Sequence, residues 1–167
     1  LDAFCNQGAF ALMCAKAGAT EVLGIDSSDT AIQAAQANAE ANELRADFRQ
    51  ANVFDYFTQN REVSYDLIVL DPPPFARSHG QVEGAIKGYK EINLRALKAL
   101  KPGGVLATYT CSQAVSLELF TSILAEAASD AQRSVRVLHH CFQAADHPVL
   151  LNMPESGYLH GLILQVD

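Results

Sequence analysis

Hydrophobic and polar positions along this chain alternate between two periods. Short strand-length runs recur at 21–26, 46–51, 65–71 and 105–112, and the stretches between them carry apolar positions three and four apart. Helices are therefore expected over 10–17, 29–43, 52–58, 86–100 and 114–129. Gly18 stops the first of these and Pro102-Gly103-Gly104 the fourth, because glycine accepts the left-handed turn past a helix and proline cannot continue one. Ile92, Leu94, Leu97 and Leu100 supply apolar positions of that long fourth helix. Two more strands, 135–142 and 158–166, follow each other with no helix between them and should be antiparallel. Such an order predicts a doubly wound α/β domain, with a mostly parallel seven-stranded sheet closed by a C-terminal antiparallel hairpin. Leu1-Asp2-Ala3-Phe4-Cys5 reads as the end of a truncated first strand, so residues 1–167 are expected to be one domain of a longer protein.

Composition narrows the class. The chain's 167 residues, 49% hydrophobic and 19% charged, suit a soluble globular domain with one sizeable core. No apolar run approaches the roughly 20 residues that span a bilayer, and nothing resembles a secretory signal, so a cytoplasmic setting is expected. Cys5, Cys14, Cys111 and Cys141 are scattered without Cys-x-x-Cys spacing, which suggests reduced thiols and neither a metal site nor a disulfide framework. The net charge of −7 argues against this chain gripping a polyanion unaided. A truncated strand in mid-sheet would leave backbone groups open to self-association, a homodimer included.

Candidate chemistry gathers at strand exits. The run from Tyr65 ends in Asp71-Pro72-Pro73-Pro74-Phe75, and prolines supply no backbone donor with which to continue a central strand. Ligands of open parallel sheets bind at the strands' carboxyl edge, which would present Asp71 and Phe75 at a site; the alternative is a proline-rich exit whose aspartate caps a turn. Asn6-Gln7-Gly8-Ala9-Phe10 forms a turn into a helix N-terminus with free backbone N–H groups. Its single glycine lacks the dinucleotide fingerprint, which ranks an NAD-linked oxidoreductase low. Asp26 follows Gly8 by eighteen positions, close to the spacing of a carboxylate that holds an adenosine ribose, and the order strand, turn, helix, strand, acid favours that reading over an N-cap. Asn52 suits an adenine contact and an N-cap equally. Arg77, Lys87 and Lys90 beside Tyr89 concentrate positive charge near the Asp71 exit. A solvated helix end is the commoner explanation of such a cluster; RNA contact through stacking and phosphate pairing is the other.

Taken together, Phe4-Cys5-Asn6-Gln7-Gly8-Ala9-Phe10, Asp71-Pro72-Pro73-Pro74-Phe75, Gly88-Tyr89-Lys90-Glu91-Ile92-Asn93, Thr110-Cys111-Ser112, Ala144-Ala145-Asp146-His147-Pro148-Val149 and Pro154-Glu155-Ser156-Gly157-Tyr158-Leu159 carry a resemblance. The chain resembles the Rossmann-like class I S-adenosylmethionine-dependent methyltransferases. Within them it is similar to the bacterial 23S ribosomal RNA cytosine-C5 methyltransferases with an N-terminal PUA domain.

The resemblance implies S-adenosylmethionine as cofactor, no metal, and ribosomal RNA as partner, held mainly by an N-terminal part outside this sequence. It implies that Asp2 faces the methionine part of the cofactor, that Gly8 lets the backbone approach and that Asp26 takes the ribose. Phe4, Asn6, Phe10, Ser27, Asn52 and Val53 would complete that pocket, although family members carry an acid where Asn52 stands. Pro72, Pro73, Phe75, Arg77, Lys87, Tyr89 and Lys90 would hold the substrate. Cys111 would be the nucleophile and Asp71 the group that hydrogen-bonds the cytosine edge. A thiol with an ordinary pKa near ~8.5 is little ionised at neutral pH, so local activation of Cys111 is expected. Pro74 stands where some RNA cytosine methyltransferases carry a second cysteine, which implies a one-cysteine scheme whose proton-abstracting base is unassigned. Cys5 should serve packing, and Asp146 and His147 suit a structural and a catalytic role equally. Two rivals remain: a methyltransferase acting on a guanine or adenine nitrogen without a nucleophile, and a non-catalytic RNA-binding module on the same fold.

Overall fold

The computed structural model describes residues 1–75 and 82–167. In chain order the elements are β1 (Asp2–Ala3), α1 (Ala9–Lys16), β2 (Leu23–Asp26), α2 (Asp29–Ala41), β3 (Asp47–Gln50), α3 (Val53–Gln59), β4 (Tyr65–Leu70), α4 (Val82–Ala99), β5 (Leu100–Thr110), α5 (Leu117–Ala131), β6 (Val135–Cys141) and β7 (His160–Val166). Among the described residues the strands form one seven-stranded sheet in the order β3-β2-β1-β4-β5-β7-β6. The pairs from β3 through β5 are parallel, and β7 runs antiparallel to both β5 and β6.

This is the expected α/β architecture with its closing hairpin, and β7 enters the sheet between β5 and β6. The two-residue β1 lies mid-sheet between β2 and β4, at the point where the chain changes direction across the sheet. In doubly wound sheets ligands bind at the carboxyl edge beside such a reversal. Register levels the strand ends there. Ala3 pairs with Ile25 and Leu70, and Leu70 pairs with Thr108. β5 continues to Thr110, which faces His160 at the start of β7, so the final hairpin reaches the same rim.

Local chemistry sets most boundaries. Ser28 and Ser116 cap α2 and α5, accepting hydrogen bonds from the N–H groups of Ala31 and Leu119. The α5 cap is the reason that helix starts at Leu117, later than its apolar pattern suggests. α4 starts earlier than expected, at Val82, and β5 begins at Leu100, so Pro102-Gly103-Gly104 lies within the strand. A register shift between Tyr65 and Leu67 accompanies that entry, and Gly103 takes a φ of 79° that side chains disfavour.

The core forms where α3, α4 and α5 meet the sheet. Tyr89, Ile92, Leu97, Phe120 and Ile123 pack with Ile68, Leu70, Leu106, Leu162, Leu164 and Val166. Ile25 joins this cluster, whereas Gly24, next to it in the strand, faces the Phe48 ring and the Cys5 thiol. All four cysteines are free thiols. No helix among the described residues is long and apolar enough to cross a membrane.

Candidate active site

β4 carries the chain to Asp71 at the rim, and the prolines end the strand there. Pro72 is buried and Phe75 partly so. One strand over, β5 ends at Thr110 and delivers Cys111 half-buried beside that exit, its Sγ 3.9 Å from the Pro72 carbonyl oxygen. Both groups titrate high. Desolvation by the surrounding protein raises the Asp71 carboxyl, although the side chain remains open to solvent. Burial raises the Cys111 thiol, and the negative charge of Asp71 raises it further. In the resting protein burial, and after it the Asp71 carboxylate, disfavour the Cys111 thiolate, the opposite direction to the activation expected.

The loop after β1 lies beside this corner. Phe4, Asn6 and Gly8 take φ values of 66°, 45° and 81°, which coil the chain back into α1. A Cβ on Gly8 would sit 2.8 Å from the Phe48 ring, so the need for glycine comes from φ and from packing against β3. Asp2 is 3% exposed, and its Oδ2 accepts the Ala11 N–H at 2.8 Å. Its Oδ1 is buried without a hydrogen-bond partner among the described residues. Burial pushes the Asp2 carboxyl up to about 6, against the lowering effect of the Ala11 N–H.

Asp26 spans the loop and α2: Oδ2 accepts from Asn6 N–H at 3.0 Å and Oδ1 from Ser28 N–H at 2.9 Å. Ser28 is the N-cap, so Asp26 is not. Ser27 is exposed and its carbonyl accepts from Gln50. Asn52 caps α3, accepting from Phe54 and Asp55 N–H groups. Val53, expected in the cofactor pocket, has its side chain in the core at 2% exposure. Phe4 packs partly buried against the same core. Phe10 stacks on Tyr109 of β5, ring centroids 5.8 Å apart. Tyr109, which nothing in the pattern singles out, lies across Gly161 of β7, where a Cβ would collide with its ring.

The substrate residues divide. Pro73 and Lys87 are exposed near the Asp71 exit and on α4. Tyr89, expected to offer its ring to a base, is 0% exposed, so its face meets only protein. Lys90 pairs with Glu126 at 3.0 Å and Asp130 at 3.1 Å on α5, which commits the charge that was expected to face phosphate. Phe75 leans on Tyr89 with centroids 4.6 Å apart. Arg77 lies outside the described residues. His147 is exposed with its ring edge-on to Tyr158, and Gln143 ties that loop to the Ser156 carbonyl.

A sheet edge with a buried acid at β1, an acid closing β2 and an acid-proline exit after β4 has the form of a Rossmann-like S-adenosylmethionine-dependent methyltransferase. The residues present fit that donor: the orphaned Asp2 Oδ1 suits its ammonium group, and Asp26, at the end of β2, suits ribose hydroxyls. A family of methyltransferase domains matches residues 1–155, and the chain belongs to it.

Among curated relatives, ribosomal RNA large subunit methyltransferase I of Shewanella frigidimarina is 42% identical over 171 aligned positions. That match covers 99% of this chain and 43% of the relative, so the chain spans less than half the relative's length. The crystal structure of SMU.776 complexed with SAH superposes with a TM-score of 0.82 at 24% identity, covering 99% of this chain and 44% of that one. A protein described as a SAM-dependent methyltransferase from Streptococcus mutans gives 0.86 at 23%, covering 99% and 43%. At these identities the likeness concerns the fold.

Proposed function

We propose that this domain methylates carbon 5 of a cytosine in large-subunit ribosomal RNA through a covalent adduct on Cys111. The observation that carries the reading is the meeting of Cys111 and Asp71 at adjacent strand exits, with the thiol 3.9 Å from the Pro72 carbonyl oxygen. The name of the Shewanella relative supports the substrate class. When bound, S-adenosylmethionine supplies an electrophilic methyl group on a sulfonium.

Carbon 5 of cytosine is too weak a nucleophile to take that methyl unaided. In the proposed sequence the Cys111 thiol loses its proton, its sulfur adds to carbon 6 as the C5–C6 double bond opens, and Asp71 hydrogen-bonds the base edge while the ring gains electron density. Carbon 5, now enamine-like, takes the methyl. Loss of the carbon-5 proton and of the sulfur then restores the aromatic ring and frees the enzyme. Asp2 and Asp26 hold the donor's ammonium and ribose ends. Lys87 and Pro73 lie exposed where RNA would enter; Tyr89 and Phe75 pack together behind the Asp71 exit. The remaining contacts to RNA, and any second copy of the chain, are assigned to the length that the relatives have and this chain does not.

The test is nucleoside mass spectrometry of unmodified ribosomal RNA after incubation with the full-length protein and labelled cofactor. The label should appear in 5-methylcytidine, and Cys111→Ala should abolish it. Undiminished transfer by that variant, or label on a purine nitrogen, would replace this mechanism with direct transfer.

A further inference from the structure

Cys111 lies just beyond the last ladder pair of β5, Thr110 with His160, where regular strand bonding no longer determines its direction. Its sulfur makes a long contact to the Pro72 carbonyl oxygen, so its aim depends largely on how its two neighbours are held. Both are held by one side chain. The Thr110 hydroxyl donates to the Tyr89 hydroxyl at 2.8 Å, and Tyr89 shares a second 2.8 Å hydrogen bond with Ser112 Oγ. Ser112 N–H closes the ring by donating to Thr110 Oγ1 at 3.2 Å. Tyr89, Thr110 and Ser112 are at most 1% exposed. In so dry a place a satisfied polar network fixes geometry more tightly than apolar packing alone.

The same tyrosine reaches the other half of the site. Its ring supports Phe75, which ends the Asp71-Pro-Pro-Pro exit, and a Cβ on Gly88 would stand 3.0 Å from the Phe75 ring. The ring's other neighbour, Phe120 of α5, meets it edge-on at 5.6 Å. One turn further along α4, Asn93 Nδ2 donates to the Tyr89 carbonyl and its Oδ1 accepts from the Thr108 hydroxyl, which locks α4 to β5 in one register. Gly88, Tyr89 and Asn93 thus make a brace between the two strand exits.

We propose that Tyr89 is a positioning residue: its hydroxyl and ring together set the placement of Cys111 against Asp71. The proposal rests on the reading of Cys111 as nucleophile. Tyr89→Phe in the full-length protein keeps the ring contacts and removes both hydroxyl bonds. Methyl transfer should lose kcat by ~10–100-fold, the scale of a small misplacement of reacting groups, with KM for S-adenosylmethionine unchanged. Iodoacetamide labelling followed by peptide mass spectrometry should show Cys111 alkylated faster than in the wild type, because its thiol is no longer held, and Cys5 unchanged. Thr110→Val with Ser112→Ala should reproduce both effects from the opposite side of the network. Wild-type kcat in Tyr89→Phe, or Cys111 and Cys5 labelling that rise together as a general loosening would produce, would overturn the assignment. Full activity of Cys111→Ala would instead remove the nucleophile reading, and the labelling comparison would still decide whether Tyr89 orients the thiol.

Discussion

Asp2, Asp71 and Cys111 show how a single residue's environment sets its chemistry. Asp2 keeps its proton up to about pH 6 in the folded chain because burial disfavours its charge. Its unfolded value is the ordinary one of ~3.9, so the folded state binds the extra proton between those limits. Stability contributed by this group is therefore full below that window and falls as pH rises through it. Asp2→Asn should flatten that part of the stability profile in denaturant titrations from acid to neutral pH. A cationic ammonium beside Oδ1 would return the carboxyl to its ionised form, so cofactor binding near pH 6 should release a proton. Calorimetry in buffers of different ionisation enthalpy should detect the release in the wild type and miss it in Asp2→Asn. At the β4 exit, Asp71→Asn removes the charge that adds to the rise in the Cys111 thiol. The pH profile of Cys111 alkylation should then move toward lower pH, and an unmoved profile would mean that burial alone sets the thiol.

Elements translate such residues into position through contacts that are easily disturbed. The loop into α1 depends on Gly8, whose φ is 81° and whose missing Cβ leaves room for the Phe48 ring. Gly8→Ala should cost about 1–3 kcal/mol in chemical denaturation, from strain and from displaced packing. Phe48→Leu should recover part of the packing loss, since the two sites touch and their effects are not additive. On α4 the two lysines serve different partners. Lys87 is exposed, and its replacement by alanine should weaken RNA binding by the full-length protein and shallow its salt dependence. Lys90 faces Glu126 and Asp130, so its replacement should leave that salt slope unchanged. Equal slopes for the two variants would mean that Lys90 leaves its partners when RNA arrives.

For the whole molecule, charge and length argue together. A domain of net charge −7 has little with which to displace counterions from RNA. The 167 residues alone should therefore bind ribosomal RNA weakly in filter or anisotropy assays, and tight, salt-sensitive binding would contradict the assignment of RNA contact to the rest of a longer chain. Local pattern was enough for the alternation of elements, the parallel sheet with its closing hairpin, the acids at the ends of β2 and β4 and the thiol at the end of β5. Each of these is written in neighbouring residues: apolar runs, capping serines, prolines and glycines act within a few positions of where they stand. Which residues those side chains would meet depended on contacts between elements far apart in the chain. The entry of β7 between β5 and β6, the burial of Tyr89 against Thr110 and Ser112, the capture of Lys90 by α5, and the Asp71 charge that raises the Cys111 thiol were decided only on folding. Local pattern tells which face of an element is apolar, but partner, distance and electrostatic field arise only when those faces have packed together.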